Sequence, residues 1–82
     1  MTNTPLNADS LSEATDKAVS DYLELLGDHE ATNLYRQVVD EVERPLLEVI
    51  MKHTRGNQSK AATCLGMNRA TLRSKLKRHG LL

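Results

Sequence analysis

The stretch GNQSKAATCLGMNRATLRSKLKRHG, residues 56–80, decides the fold of this chain. Asn57 and Asn68 are each suited to cap a helix N-terminus, because a side-chain carboxamide oxygen can accept one of the first free backbone N–H groups. Two short helices are therefore expected, at about 58–65 and 69–79, with the turn Gly66-Met67-Asn68 between them. Ala61 and Ala62 are small enough to let the first short helix pack closely. Leu65, Met67, Leu72 and Leu76 pin the pair together. Leu72 and Leu76 are four residues apart and face inward, so the opposite face of the last helix turns outward with Arg69, Thr71, Arg73, Lys75 and Lys77, and Arg78 near its end. This is the pattern of a helix-turn-helix whose second helix can enter a DNA major groove.

The charge distribution agrees. From Lys52 to Leu82 there are eight Lys or Arg and no Asp or Glu, whereas residues 1–51 carry three basic residues against all 11 acids. The formal net charge of zero hides two opposed halves. A basic end points to a polyanion partner reached by that end alone. Within it, arginine can fork onto guanine O6 and N7, and threonine can meet the thymine methyl or a phosphate. Asn57, Ser59 and Asn68 at helix starts can join backbone N–H groups in holding phosphate. The acids of the other half read as a solvated surface, or as a face that keeps DNA off the wrong side.

Upstream, Ser10 followed by Glu13 has the form of a capping box and places a helix start at about Leu11. Leu11, Ala14, Ala18, Val19, Tyr22, Leu25 and Leu26 then share one face up to Gly27. A second helix is expected from about Ala31, with Leu34, Val38, Val42, Leu46 and Val49/Ile50 in phase. That phase survives Pro45, which favours one kinked helix over a break at Arg44 with Pro45 opening a new one. The helix should end before Gly56.

The chain thus divides into a flexible N-terminal segment, 1–10, dimerisation helices, 11–54, and a helix-turn-helix region, 55–82. Eighty-two residues with no Trp or Phe and two Tyr offer little bulky apolar mass. Completion of the core by a second copy, with Tyr22 and Tyr35 packed in it, is the expectation. One cysteine, Cys64, excludes an internal disulfide, fits a reducing cytoplasm, and reads as a core residue. No apolar run spans a membrane and no signal peptide opens the chain. His29, His53 and His79 show no ligand spacing, so neither a metal nor another cofactor is expected. No catalytic constellation is present, and an enzyme is not expected.

The segment RPLLEVIMKHTRGNQSKAATCLGMNRATLRSKLKRHGL, with Asn33-Leu34-Tyr35 and the run from Glu41 to Leu47 upstream, resembles the Fis (factor for inversion stimulation) family over about residues 11–82. The resemblance implies an all-α, four-helix subunit in an intertwined homodimer that binds and bends double-stranded DNA in the bacterial nucleoid and regulates transcription. It implies that Arg69, Thr71 and Arg73 lie at the groove. It places Asn68, Lys75 and Lys77, with Asn57 and Ser59, on the backbone. It further implies that Arg55, Gly56 and Gln58 form a turn that members can present to RNA polymerase. Ser74 stands where a lysine is usual, and about ten residues precede the first expected helix, too few for the family's β-hairpin arm. Two other readings stand beside it. One is a dimeric adaptor whose basic end contacts RNA polymerase or another acidic protein. The other is a free-standing relative of the DNA-binding domain that closes NtrC-type activators.

Overall fold

The computed structural model describes residues 6–82, and among these every regular element is helical: α1 (Ala8–Leu26), α2 (Leu34–His53), α3 (Gln58–Leu65) and α4 (Arg69–Arg78). The protein is all-α. It divides into two compact units, Met1–Leu34 and Tyr35–Leu82.

In the first unit α1 starts at Ala8, one turn earlier than the Ser10 pattern suggested. Asn7 is the cap, its Oδ1 accepting the Ser10 N–H at 3.2 Å. Asparagine is as strong a cap as serine, and once it acts Ser10 is absorbed into the first turn. Of the segment expected to be flexible, residues 8–10 are thus helical, and the expectation for residues 1–5 lies outside the described residues. Gly27 ends α1 with φ +61°, its N–H shared between the Leu23 and Glu24 carbonyls at 3.2 Å each. Backbone in that region strains any side chain with a Cβ, which explains the residue. No residue of α1 is buried, and Leu11, Leu23 and Leu25 are all exposed.

Helix α2 begins at Leu34 and not near Ala31, because Asn33 adopts φ +59° and a left-handed residue cannot propagate a right-handed helix. It runs unbroken past Pro45 to His53, so the one-helix reading holds and the break at Arg44 does not occur. Proline leaves the Glu41 carbonyl without a helical donor. Glu41 is exposed, so water can take that place.

The second unit is built on five buried residues, Leu47 from α2, Ala61 and Ala62 from α3, and Leu72 and Leu76 from α4. Ile50, Met51, Leu65, Met67 and Leu81 pack around them. The inward face of α2 therefore runs through Asp40, Glu43, Leu47 and Ile50, at spacings of three, four and three. Of the expected stripe, Ile50 packs against this core and Leu34 and Val38 are half-buried, whereas Val42, Leu46 and Val49 are exposed, as is Tyr35 at 82 %. Cys64 is exposed too, and the expectation of a core cysteine is corrected. On α3 the inward positions are Gln58, Ala61, Ala62 and Leu65, and the roughly 100° advance per residue sets Cys64 about 100° away from that face.

No described helix is long and apolar enough to cross a membrane.

Candidate nucleic-acid interface

The turn between α3 and α4 is made by Gly66 at φ +73°, ψ +32°, the left-handed conformation that ends a helix most cheaply in glycine. The Met67 N–H returns to the Ala62 carbonyl at 3.0 Å, which closes the turn over the two alanines. Asn68 then opens α4 with extended backbone, its Oδ1 accepting the Thr71 N–H at 2.8 Å. Asn57 does the same for α3, accepting the Lys60 N–H at 3.1 Å. In each cap the carboxamide oxygen is used and the NH₂ group is left to donate outward.

With Leu72 and Leu76 inside, Arg69, Thr71, Arg73 and Lys77 are all exposed. Arg73 makes one long contact, Nη1 donating to Gln58 Oε1 at 3.5 Å. Asn68, Asn57 and Ser59 are exposed at the two helix starts, beside the first turn of α4 in chain order and on α3 respectively. Arg55 is held at φ +54°, a conformation uncommon outside glycine, and with Gly56 at φ +81° it forms the exit from α2. The Gly56 N–H reaches back to the Met51 carbonyl at 2.9 Å. Arg55 and Gly56 are exposed while Gln58 is half-buried. Arg55 and Ser59 line one open cleft with His53, Thr54, Lys60, Thr63 and Cys64, and no carboxylate is among them.

Lys75 departs from the expected outward face. Its Nζ donates to Glu43 Oε2 at 2.9 Å on α2. Its neighbour one turn on, His79, has a side chain only 8 % exposed, with Nε2 2.8 Å from Glu43 Oε1. Arg78 pairs with Asp40 and stands 3.6 Å from Glu43. Arg44 Nη1 donates to the His79 carbonyl at 2.6 Å, capping the C-terminal end of α4. His79, read from sequence as an isolated polar residue, is thus part of a cluster. Asp40, Glu43 and His79 offer ligand atoms within 4.8 Å of one another, but Lys75 and Arg78 already occupy the two carboxylates.

The Glu43 carboxyl is held below its ordinary value of 4.5, first by the Lys75 hydrogen bond, against burial, and then by His79. A carboxyl whose pKa is depressed on folding contributes stability that is present above its unfolded value and lost as pH falls through the folded one. The urea midpoint of the parent protein should therefore exceed that of Glu43→Gln at neutral pH, and the gap should close as pH drops below about 4.5. A gap that persisted at pH 2.5 would show that the carboxylate's charge is not what holds the two helices together.

A short helix docked on two others, with its polar face outward and its N-terminus free, defines a helix-turn-helix protein. The family model for bacterial regulatory proteins of the Fis family matches residues 38–79, which cover α2 from Val38 onward and both short helices. The chain is 51 % identical over 71 residues to the DNA-binding protein Fis of Glaesserella parasuis, covering 87 % of this chain and 72 % of that protein. It is 52 % identical over 71 residues to the DNA-binding protein Fis of Psychromonas ingrahamii, with the same coverage of each. The chain belongs to the Fis family of bacterial regulatory proteins.

Proposed function

We propose that this protein is a homodimeric, nucleoid-associated regulator of transcription that binds double-stranded DNA and bends it. The observation that carries the reading is the face of α4 bearing Arg69, Thr71, Arg73 and Lys77. All four are exposed, and none of the three cations among them is paired with an acid among the described residues, Asp40 and Glu43 being engaged by Arg78, Lys75 and His79. Arg69 and Arg73 stand one turn apart at the N-terminal half of the helix, the part that meets base edges when such a helix lies in a major groove. Asn57, Ser59 and Asn68 hold phosphate beside it, and Lys77 adds charge. The two relatives, each a DNA-binding protein Fis, agree with this assignment.

A second copy is supported by the apolar residues that the chain leaves uncovered, Leu23 and Leu25 on α1 and Val42, Leu46 and Val49 on α2. Two recognition helices in such a dimer dock together when the duplex bends, and bending a 20–30 bp site by 40–90° costs on the order of 1–6 kcal/mol depending on its sequence. Flexible pyrimidine–purine steps should then contribute much of the selectivity. The exit turn of α2, with Arg55, Gly56 and Gln58, is the surface assigned to RNA polymerase.

Titration into labelled duplexes carrying A/T-centred pseudo-palindromic sites, read for affinity and bend at several salt concentrations, tests the reading. With about six to ten phosphates engaged, affinity should fall roughly 10³- to 10⁵-fold between 50 and 200 mM salt. A folded dimer that binds no duplex, or binds one indifferently to salt, would overturn it.

A further inference from the structure

Five cations lie along α4, and the fold treats them unequally. Arg69, Arg73 and Lys77 make no ion pair among the described residues. Lys75 is 2.9 Å from Glu43, and Arg78 is bound by Asp40 and lies 3.6 Å from Glu43. The division follows from helix geometry. Lys75 on α4 and His79 at its C-cap each follow an inward leucine, Leu72 and Leu76, by three residues, and so look toward α2. Asp40 and Glu43 continue the α2 face whose apolar part is Leu47 and Ile50, and so look toward α4. The two stripes meet with carboxylates on one side and cations on the other.

Partial burial makes the contact harder to trade than a surface pair. The Glu43 side chain is 14 % exposed and that of Lys75 32 % exposed. If Lys75 swung out to a phosphate, a half-buried carboxylate would keep only His79 and the more distant Arg78, and a partly desolvated charge that loses its partner carries a cost. Exposed Lys77 has no such tie, since solvent already surrounds it.

We propose that Glu43 is a positioning residue for the recognition helix: it anchors Lys75 and His79 against α2, so that Lys75 sets the orientation of α4 and does not neutralise phosphate. This removes Lys75 from the backbone-contacting set and leaves Arg69, Arg73 and Lys77 as the DNA-facing charge of α4. The inference rests on the duplex-binding reading above and divides the labour within it.

Salt dependence separates the two roles. A lysine that neutralises phosphate contributes about 0.9 to the slope of log Kobs against log salt for each subunit engaged, whatever its effect on affinity. A lysine that only orients the helix can change affinity and leave the slope alone. Duplex binding by the full chain would be measured across salt for the parent, Lys75→Met and Lys77→Met, since methionine retains a long unbranched stem. Lys77→Met should flatten the slope by about 0.9 per subunit. Lys75→Met should weaken binding several-fold at every salt concentration with the parent's slope. Equal flattening by both variants would overturn the inference while leaving duplex binding intact. A parent that binds no duplex would instead overturn the underlying reading, and this inference with it. Should Lys75→Met fail to fold, Glu43→Gln decides. Freed Lys75 should then steepen the slope by up to about 0.9 per subunit, and a slope and affinity both equal to the parent's would overturn the assignment.

Discussion

Replacing Arg69 and Arg73 together by alanine should abolish selective duplex binding and leave the fold and the oligomeric state unchanged. Both side chains are exposed, and the longest reach either makes into the protein is the 3.5 Å contact from Arg73 to Gln58. Their removal therefore creates no cavity and leaves no buried group unpaired. On the DNA side, each guanidinium that forks onto a guanine is worth about 1–3 kcal/mol of discrimination, so the pair is worth about 2–6 kcal/mol per half-site. That corresponds to roughly 30-fold to 10⁴-fold per half-site. Competition between a preferred site and random duplex would show the loss as a collapse of the ratio between them, with an unchanged urea midpoint as the control for folding. A double variant that kept its preference would move recognition off α4. The cleft beside Arg55, rich in cations and without a carboxylate, would then be the surface to test.

The pair also explains how the same helix can read sequence at one end and be anchored at the other. Its N-terminal turn carries Asn68, Arg69 and Thr71, with the Asn68 cap accepting the Thr71 N–H. Its C-terminal turn is tied down by four side chains of α2 and α4, through Glu43, Asp40, Lys75 and Arg78, and by Arg44 on the His79 carbonyl. A helix fixed at one end presents the other end at a defined angle. Selectivity by two arginines requires that definition, because a bidentate contact fails with small rotations of its donor.

Much of this was legible in the residues. The bounds of α3 and α4 followed from two asparagine caps and one glycine, features that act within four residues and need no tertiary partner. The inward placement of Ala61, Ala62, Leu72 and Leu76 followed from periodicity. What could not be read was which of two apolar stripes on α2 the rest of the unit would cover. Val42, Leu46 and Val49 make one, and Leu47 with Ile50 and Met51 the other, and both have helical spacing. Sequence periodicity marks an amphipathic face without saying what lies against it. Choosing the first stripe hid Glu43 and Asp40, which are in phase with the second. A signal was available: Lys75 and His79 each follow an inward leucine by three and share their spacing of four, so a carboxylate in phase with Leu47 was the natural partner. The start of α1 was missed for a more local reason. Asn7 and Ser10 can both cap, and nothing in the residues alone ranks them.

Leu72→Ala and Leu76→Ala should each bring down the helix-turn-helix itself, and with it every activity of the basic end. The two side chains are 0 % and 1 % exposed, and with Leu47 they are the only large side chains fully inside a core of five buried residues. Leucine-to-alanine changes in a packed core cost about 2–5 kcal/mol, more where the surroundings cannot collapse into the space. Ala61 and Ala62 carry only methyl groups and cannot extend into the void, so any relaxation must come from the surrounding Met51, Leu65, Met67 and Leu81. Against a total stability of about 5–15 kcal/mol for an ordinary domain, such a loss is large, and this core is small. Chemical denaturation followed by circular dichroism should show it directly. Leu72→Met, which nearly conserves volume, should cost less than about 1.5 kcal/mol and retain duplex binding. Leu46→Ala provides the contrast, since Leu46 is 49 % exposed within the chain and is assigned to the face that meets a second copy. Its loss should appear as a concentration-dependent midpoint and a shift toward monomer, whereas the Leu72 defect should be independent of protein concentration beyond that of the parent. If Leu72→Ala proved as mild as a surface change, the five-residue core could not be what holds the recognition helix in place, and the Glu43 cluster would have to bear that role alone.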